Sequence, residues 1–446
     1  MEELTKLVSN INSFIWGMYC LIPLLCGVGI YFTIRLKFIQ VRKFGQAVRM
    51  LFGDLSLKGK RADKHGMSSF QSVATAIAAQ VGTGNLAGAA TAIAMGGPGA
   101  IFWMWIAAFF GMATIFAEAV LAQVYRTRDD AGHITGGPAY YISKGLGSHK
   151  LAVFFSVSII IALGCIGNMV QSNSIADAFK TAFDVPPLVM GLIIAACGAF
   201  VFFGGIGRIA AVTEKMVPLM ALLYVIGGLF VVLSNADQII PAFKMIFVGA
   251  FDPSAATGGI IGAGVKEAIR YGVARGLFSN EAGLGSTPHA HALAKVKQPQ
   301  DQGALAIIGV FVDTFVILTL TALVLITSGL IPEGMTGTAL TQAAFSLTFG
   351  SFGKVFIAIC MLFFAFSTIL GWYFFGQVNF NALFGSKYTK VYSLIVVLFI
   401  LIGSSLKVDL VWALADFFNG LMAVPNLLAL LALSGVVAGI ARNKKD

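Results

Sequence analysis

The chain is a succession of apolar stretches, each about the length that a membrane-crossing helix requires, which is roughly 20 residues. Stretches near 14–34, 68–95, 99–124, 151–178, 187–206, 213–234, 259–292, 303–328, 352–378, 389–405 and 410–435 meet that length. Of 446 residues, 58% are hydrophobic and 11% are charged. A soluble domain carries about 25% charged residues. A chain this poor in charge cannot cover a water-facing surface of its own size. An ordinary soluble enzyme, a disordered chain and a nucleic-acid binder are thereby excluded. The fold class expected is an all-α polytopic membrane protein of eleven spans. No GxxxxGK[ST] phosphate loop is present, so an ATP motor would have to be a partner.

The net charge of +10 reads as a positive-inside bias. Nine cations, from Arg35 to Lys64, follow the first stretch, against Asp54 and Asp63. This places the N-terminus outside and residues 35–66 in the cytoplasm. Within that segment VRKFGQAVRMLFG alternates cations with apolar residues, the pattern of an amphipathic helix lying in the interface. With eleven spans the C-terminus, carrying Arg442, Lys444 and Lys445, lies inside. Glu2, Glu3 and Lys6 make no basic leader, so a cleaved signal peptide is not expected. The five cysteines lie in apolar stretches without CxxC or Cys/His clustering, which predicts packing residues rather than disulfides or zinc.

Two stretches are interrupted. In 68–95, AIAAQ runs into Val81-Gly82-Thr83-Gly84-Asn85. In 259–292, VKEAIRYGVARG runs into Leu277-Phe278-Ser279-Asn280-Glu281-Ala282-Gly283-Leu284-Gly285. A glycine costs a helix interior about 1 kcal/mol relative to alanine. Each unsatisfied backbone group in hydrocarbon costs several kcal/mol, so such breaks survive only where they line a protein-walled cavity. After the first helix ten spans remain, and each break opens one set of five. Five is odd, so the two halves run in opposite senses. Interrupted helices at matching places in inverted halves mark the binding site of a transporter.

A broken helix offers free N–H groups at one end and free carbonyls at the other. The first end suits a carboxylate and the second a cation or an ammonium group. N–H groups of Thr83, Gly84 and Asn85 are therefore expected to hold a carboxylate. Carbonyls near Ala78 and Val81 would face a cation. Phe278 would wall the pocket, with Ser279 or Asn280 carbonyls near the ammonium, and Gln80 is a further substrate-binding candidate. In AFSTILGWYFFGQ, the Ser367 and Thr368 hydroxyls either bond back along their own helix or serve as hard ligands for a small cation. Trp372 lies one turn beyond Thr368 and would cap the pocket. Asn168 and Gln171 share a face, for interhelical bonding or as pocket donors. Buried carboxylates are functional candidates: Asp313 for a cation site or proton path, and Glu281 as a partner of Arg275 or a cap. Glu118 and Asp416 fall near span ends. His289 and His291 are two apart, a poor spacing for zinc on a helix.

GTGNLAGAATAIAMGGPGAIFWMW (82–105), RGLFSNEAGLGSTPHAHA (275–292) and the lesser GGPAYYI (136–142) resemble the alanine or glycine:cation symporter family. The resemblance covers nearly the whole chain. It implies a LeuT-type 5+5 inverted-repeat core of ten helices plus one N-terminal helix. On that scheme residues 1–66 hold the first helix and amphipathic segment, 68–234 and 259–435 are the repeats, and 436–446 is a basic tail. The resemblance also implies that Thr83 and Gly84 amides take the substrate carboxylate. Ala78 and Val81 carbonyls with Ser367 and Thr368 form the principal Na+ site, and Asn85 matches a position serving a second sodium in some relatives. It implies alanine or glycine as substrate, Na+ as coupling ion, membrane lipid as surroundings and no organic cofactor. Rival readings are a proton-coupled or uniport carrier on the same fold and an ion channel. A membrane enzyme lacks its motifs, with no GxSxG and no metal cluster.

Overall fold

The computed structural model describes residues 2–17, 19–53, 66–252, 264–330 and 335–442. Among the described residues, seven helices are long and apolar enough to cross a membrane: Ala100–Val124, His149–Phe183, Gly205–Ser234, Pro299–Ser328, Phe352–Phe384, Ser386–Gly403 and Asp409–Ala432. Leu21–Arg35 and Pro187–Phe202 are shorter apolar helices. Several outer helices are apolar all round, as a segment between protein and hydrocarbon must be. On Gly205–Ser234, Leu219, Leu222, Ile226, Leu229 and Leu233 face outward at helical spacing, while Met220, Tyr224 and Val231 are buried.

The first interrupted segment begins with a reciprocal cap. The Ser68 hydroxyl accepts from Gln71 N (3.1 Å) and the Gln71 amide oxygen accepts from Ser68 N (3.2 Å). That start fixes helix Ser69–Gln80. The chain leaves helical geometry at Val81, resumes as a π-turn over Gly84–Gly88 and continues as Ala89–Gly96. The second segment runs as helix Val265–Asn280 and stops where Glu281 turns left-handed (φ 59°), before the short helix Pro288–Ala292. The two segments lie side by side and antiparallel. Gln80 Nε2 donates to Asn280 O (2.7 Å) and Ser72 Oγ to Ala290 O (2.8 Å).

Two further π-helical stretches, Ile160–Gly167 and Phe311–Leu318, interrupt otherwise regular spans. π-turns concentrate at functional sites, and these two deliver Gln171 and Asp313 to the centre. Between spans, strands Thr127–Arg128 and Ile134–Thr135 form a small hairpin. The hydroxyl and N–H of Ser386 both donate to Asp130, holding its carboxyl below the usual carboxylate range.

Some expectations change. The first apolar stretch is preceded by a separate helix, Glu2–Ile15, which packs on Val408–Ala432 through Asn12 Nδ2 to Ala413 O (2.7 Å). The amphipathic segment is helical over Ile39–Arg42 and Phe44–Gly53, whereas 54–65 lie outside the described residues, as do 253–263, 331–334 and 443–446. Cys165 and Cys360 are buried packing residues, but Cys197 is exposed.

Candidate substrate and cation site

Four neutral oxygens converge where the first helix breaks. Thr368 Oγ1 lies 2.9 Å from Ala78 O and 3.4 Å from Val81 O. Ser367 Oγ lies 3.3 Å from Ala78 O. Both hydroxyls also reach the Phe364 carbonyl, at 2.8 and 3.1 Å, which is the back-bond expected of Ser and Thr in a helix. The two roles coincide, because the back-bond orients hydroxyls that face the broken end of the neighbouring helix. All four residues are buried. Carbonyl and hydroxyl oxygens are the donor set of a hard cation, and the residues fit Na+ once the hydroxyls turn their lone pairs inward.

Beside this cage the backbone N–H groups freed at the break are met by side chains. Asn85 Oδ1 accepts from Gly82 N (2.9 Å) and Gln171 Oε1 from Thr83 N (3.3 Å). The approach is close. A Cβ on Gly82 would stand 2.4 Å from Thr368 Oγ1, and one on Gly84 would stand 2.9 Å from Ser279 Cβ. Gly84 therefore sits directly between the two breaks. The Thr83 hydroxyl is buried and finds no hydrogen-bond partner among the described residues. Asn168 Nδ2 bonds back to Gly164 O (3.0 Å) in its own span rather than across to another helix.

A second polar cluster lies on the far side of the break. Asp313 Oδ1 accepts from Asn85 Nδ2 (2.7 Å) and Ser279 Oγ (2.9 Å), and Oδ2 from Thr314 Oγ1 (2.8 Å). Asn280 Nδ2 reaches Thr314 Oγ1 (3.2 Å). These residues come from both interrupted segments and from the π-stretch. Asp313 was visible in the sequence as a lone buried carboxylate; its partners, from distant stretches, were not.

The aromatic wall is assembled from Phe278, Trp372 and Trp412. Phe278 meets Trp372 edge-on with centroids 6.0 Å apart and Trp412 at 5.1 Å. Arg275 does not pair with Glu281. It makes a forked bond to Asp416 (2.8 and 2.7 Å) and lies over Trp412. Beyond this pair opens a cavity of about 860 Å³ lined by Thr91, Asn173, Arg270, Thr338 and Trp412 among others. Glu281 instead accepts from Trp372 Nε1 and from the Ser286 hydroxyl. Glu118 was passed over in the sequence as a span-end residue. Its oxygens take Gly283 N (3.1 Å), Gly285 N (3.0 Å) and Asn426 Nδ2 (2.7 Å), so it holds the second break. The signal was present in the glycine-rich run, whose freed N–H groups need an acceptor. His289 bonds Ser286 O (2.6 Å) and Asn379 Nδ2 (2.8 Å), which makes it a structural link; among the described residues no cluster of metal-binding side chains occurs.

Two antiparallel broken helices around a buried cage of neutral oxygens define a secondary transporter of the LeuT-type inverted-repeat fold. A solved structure titled MhsT in complex with L-phenylalanine shares the fold, with a TM-score of 0.57 over 86% of this chain and 99% of that one at 12% identity. The chain belongs to the sodium:alanine symporter family, whose profile matches residues 1–445. It is accordingly a multi-pass cell-membrane carrier, not an enzyme, with Na+ as its coupling ion. The sodium/alanine symporter AgcS of Methanococcus maripaludis is 46% identical over 98% of this chain and 96% of its own length. The probable sodium/glutamine symporter GlnT of Bacillus subtilis is 43% identical over 98% and 90%.

Proposed function

We propose that the chain carries alanine, and glycine with it, into the cell together with Na+ by alternating access. The four-oxygen convergence of Ala78, Val81, Ser367 and Thr368 beside Gly82 and Gly84 carries this reading. Na+ sits in that cage. The substrate carboxylate takes the N–H groups at Thr83 and Gly84, displacing the Gln171 oxygen from Thr83 N, with Asn85, Gln80 and Gln171 around it. The ammonium faces Ser279 and Asn280 at the second break, and Phe278 and Trp372 enclose the side chain. The close approach of other chain segments at Gly82 and Gly84, with the large rings of Phe278 and Trp372, favours a small substrate.

The cation charge draws the carboxylate, and the filled pair stabilises the closed state. Such coupling is reciprocal, so substrate tightens Na+ binding by the factor that Na+ tightens substrate. Residues 68–234 and 259–435 act as the two repeats, in eleven spans with the N-terminus outside and the C-terminus inside. Outward apolar stripes such as Leu219 to Leu233 contact membrane lipid.

A second reading is favoured by one observation. Asp313, with Asn85, Ser279 and Thr314, presents a buried carboxylate whose partners are all uncharged. It would hold a second cation or, on the alternative, a coupling proton. Uptake of alanine and of glycine by proteoliposomes, with Na+ varied at fixed pH and pH varied at fixed Na+, tests both. Sodium-dependent uptake of both substrates is expected. Uptake driven by a pH gradient and indifferent to Na+ would replace this reading with proton coupling, and indifference to both would leave a uniporter. Counterflow of labelled alanine separates a carrier from a channel.

A further inference from the structure

We propose that Glu281 is a positioning residue which sets the side-chain size that the carrier accepts, by fixing the indole of Trp372. The proposal rests on the reading that Trp372 and Phe278 wall the substrate pocket.

The argument starts from what an indole can do. Its Nε1–H is a donor only, and in an apolar span it needs one acceptor. Two close neighbours of Trp372 offer it no side-chain acceptor: Phe278 meets it edge-on, and Gly167 lies so close that a Cβ there would stand 2.6 Å from the ring. Glu281 supplies the acceptor. Its other oxygen accepts from Ser286, so the carboxylate cannot swing away from the indole without losing a second bond.

The chain fixes the carboxylate in turn. Glu281 N donates to Leu277 O (2.9 Å) as helix Val265–Asn280 ends, and the residue adopts a left-handed turn with φ 59°. Glu281 is thus part of the second break, whereas Trp372 belongs to Phe352–Phe384, the helix that carries Ser367 and Thr368. One hydrogen bond therefore registers the aromatic wall against the broken helix. Among the described residues no Lys or Arg pairs with Glu281, because Arg275 is committed to Asp416. A carboxylate with two donors and no counter-charge is placed to orient, and its two acceptor oxygens are what it contributes. Without the bond, the indole loses its acceptor and is free to turn, and the pocket widens. Relatives whose names specify alanine and glutamine make glutamine a natural probe of that width.

The test measures alanine uptake by proteoliposomes and its inhibition by glycine, alanine, serine and glutamine. Glu281→Leu removes the acceptor at similar volume. Trp372→Phe removes the donor and keeps an aromatic ring. Glu281→Gln keeps a carbonyl for the indole, and its amide N–H₂ donates to the Ser286 oxygen. Expected is a tenfold or greater rise in glutamine inhibition relative to alanine in Glu281→Leu and in Trp372→Phe, expressed in KM for alanine with Na+ activation unchanged. The double variant Glu281→Leu/Trp372→Phe shifts no further than Trp372→Phe alone, which already removes the same bond together with part of the ring. Glu281→Gln retains the wild-type ratio. An unchanged ratio in Glu281→Leu overturns the proposal. So does a Glu281→Gln protein as impaired as Glu281→Leu with altered Na+ or pH dependence, which would make the group an ionisable coupling site. If Glu281→Leu does not accumulate as folded protein, Glu281→Met takes its place, since it also removes the carboxylate acceptor at similar length; an unchanged ratio in Glu281→Met overturns the proposal. If Trp372→Phe and Trp372→Ala both leave alanine affinity and selectivity untouched, the pocket-wall reading has failed. If the Trp372 variants change selectivity and Glu281→Leu does not, only the present proposal has.

Discussion

Thr368 lies within hydrogen-bond reach of three carbonyls through one hydroxyl, and its loss should separate function from folding. A single hydrogen bond contributes about 1 kcal/mol net to stability, so Thr368→Ala is expected to fold. Removing one of four cation oxygens should raise the Na+ concentration for half-maximal uptake about tenfold or more, with Thr368→Ser close to wild type. Uptake against Na+ for the two variants checks this, and unchanged Na+ activation in Thr368→Ala would remove the residue from the cage. Gly84→Leu is expected to abolish alanine binding while the protein still inserts, because even a Cβ there meets Ser279 at 2.9 Å. Scintillation proximity binding on purified protein measures it, and retained alanine affinity would take Gly84 out of the pocket. At this scale the sequence was informative wherever a residue type is chemically unusual for a membrane interior: adjacent hydroxyls, paired glycines, a lone Asp313. It was silent on pairings. Glu281 chose Trp372 and Ser286 over Arg275, and nothing in local spacing distinguishes those partners.

A broken helix in hydrocarbon is stable only when something replaces its missing backbone bonds, and here side chains do so, some from other elements and some from the breaks themselves. Gln171 and Asn85 serve the first break, while Glu118, Asn426 and Asn280 serve the second. Glu118 is the most heavily used, since its two oxygens divide three donors. Glu118→Gln would turn an amide N–H₂ toward one of those donors. A cost of about 1–3 kcal/mol follows from leaving a buried donor unpaired. The expected result is a lower Tm together with faster hydrogen exchange confined to residues 281–287. Exchange unchanged there would show that the loop is held by other means. The two interruptions were legible because glycine and polar residues break the apolar pattern at 81–85 and 277–285. The π-stretches Ile160–Gly167 and Phe311–Leu318 were not: the first is as apolar as any span, and Asp313 and Thr314 in the second mark a buried polar site rather than a change of backbone geometry. Helix Glu2–Ile15 was missed for the opposite reason: its polar residues dilute the apolar signal, and only the four-residue spacing of the buried Val8, Asn12 and Trp16 betrays a packed face.

For the whole molecule, charge movement distinguishes one coupling ion from two. An alanine zwitterion is neutral, so each Na+ transported with it carries one net charge. Moving that charge through 100 mV supplies about 2.3 kcal/mol. At about 1.4 kcal/mol for each tenfold change, one Na+ supports close to fifty-fold accumulation with equal Na+ on both sides. A second Na+ on Asp313 would double the free energy and square the ratio, to about two thousand-fold. Proteoliposomes with symmetric Na+ and an imposed potassium diffusion potential measure that limit directly. Occupation of the four-oxygen cage alone predicts the lower plateau. Asp313→Asn should leave the lower plateau in place if the cage is the sole ion site, and should bring the higher plateau down to it if Asp313 binds the second ion. A plateau insensitive to potential in the wild-type protein would mean that no net charge crosses with alanine. A proton carried outward on the Asp313 carboxylate for each Na+ carried inward would then balance the charge; the carboxylate alone, fixed in the protein, returns with the carrier in every cycle and cancels nothing.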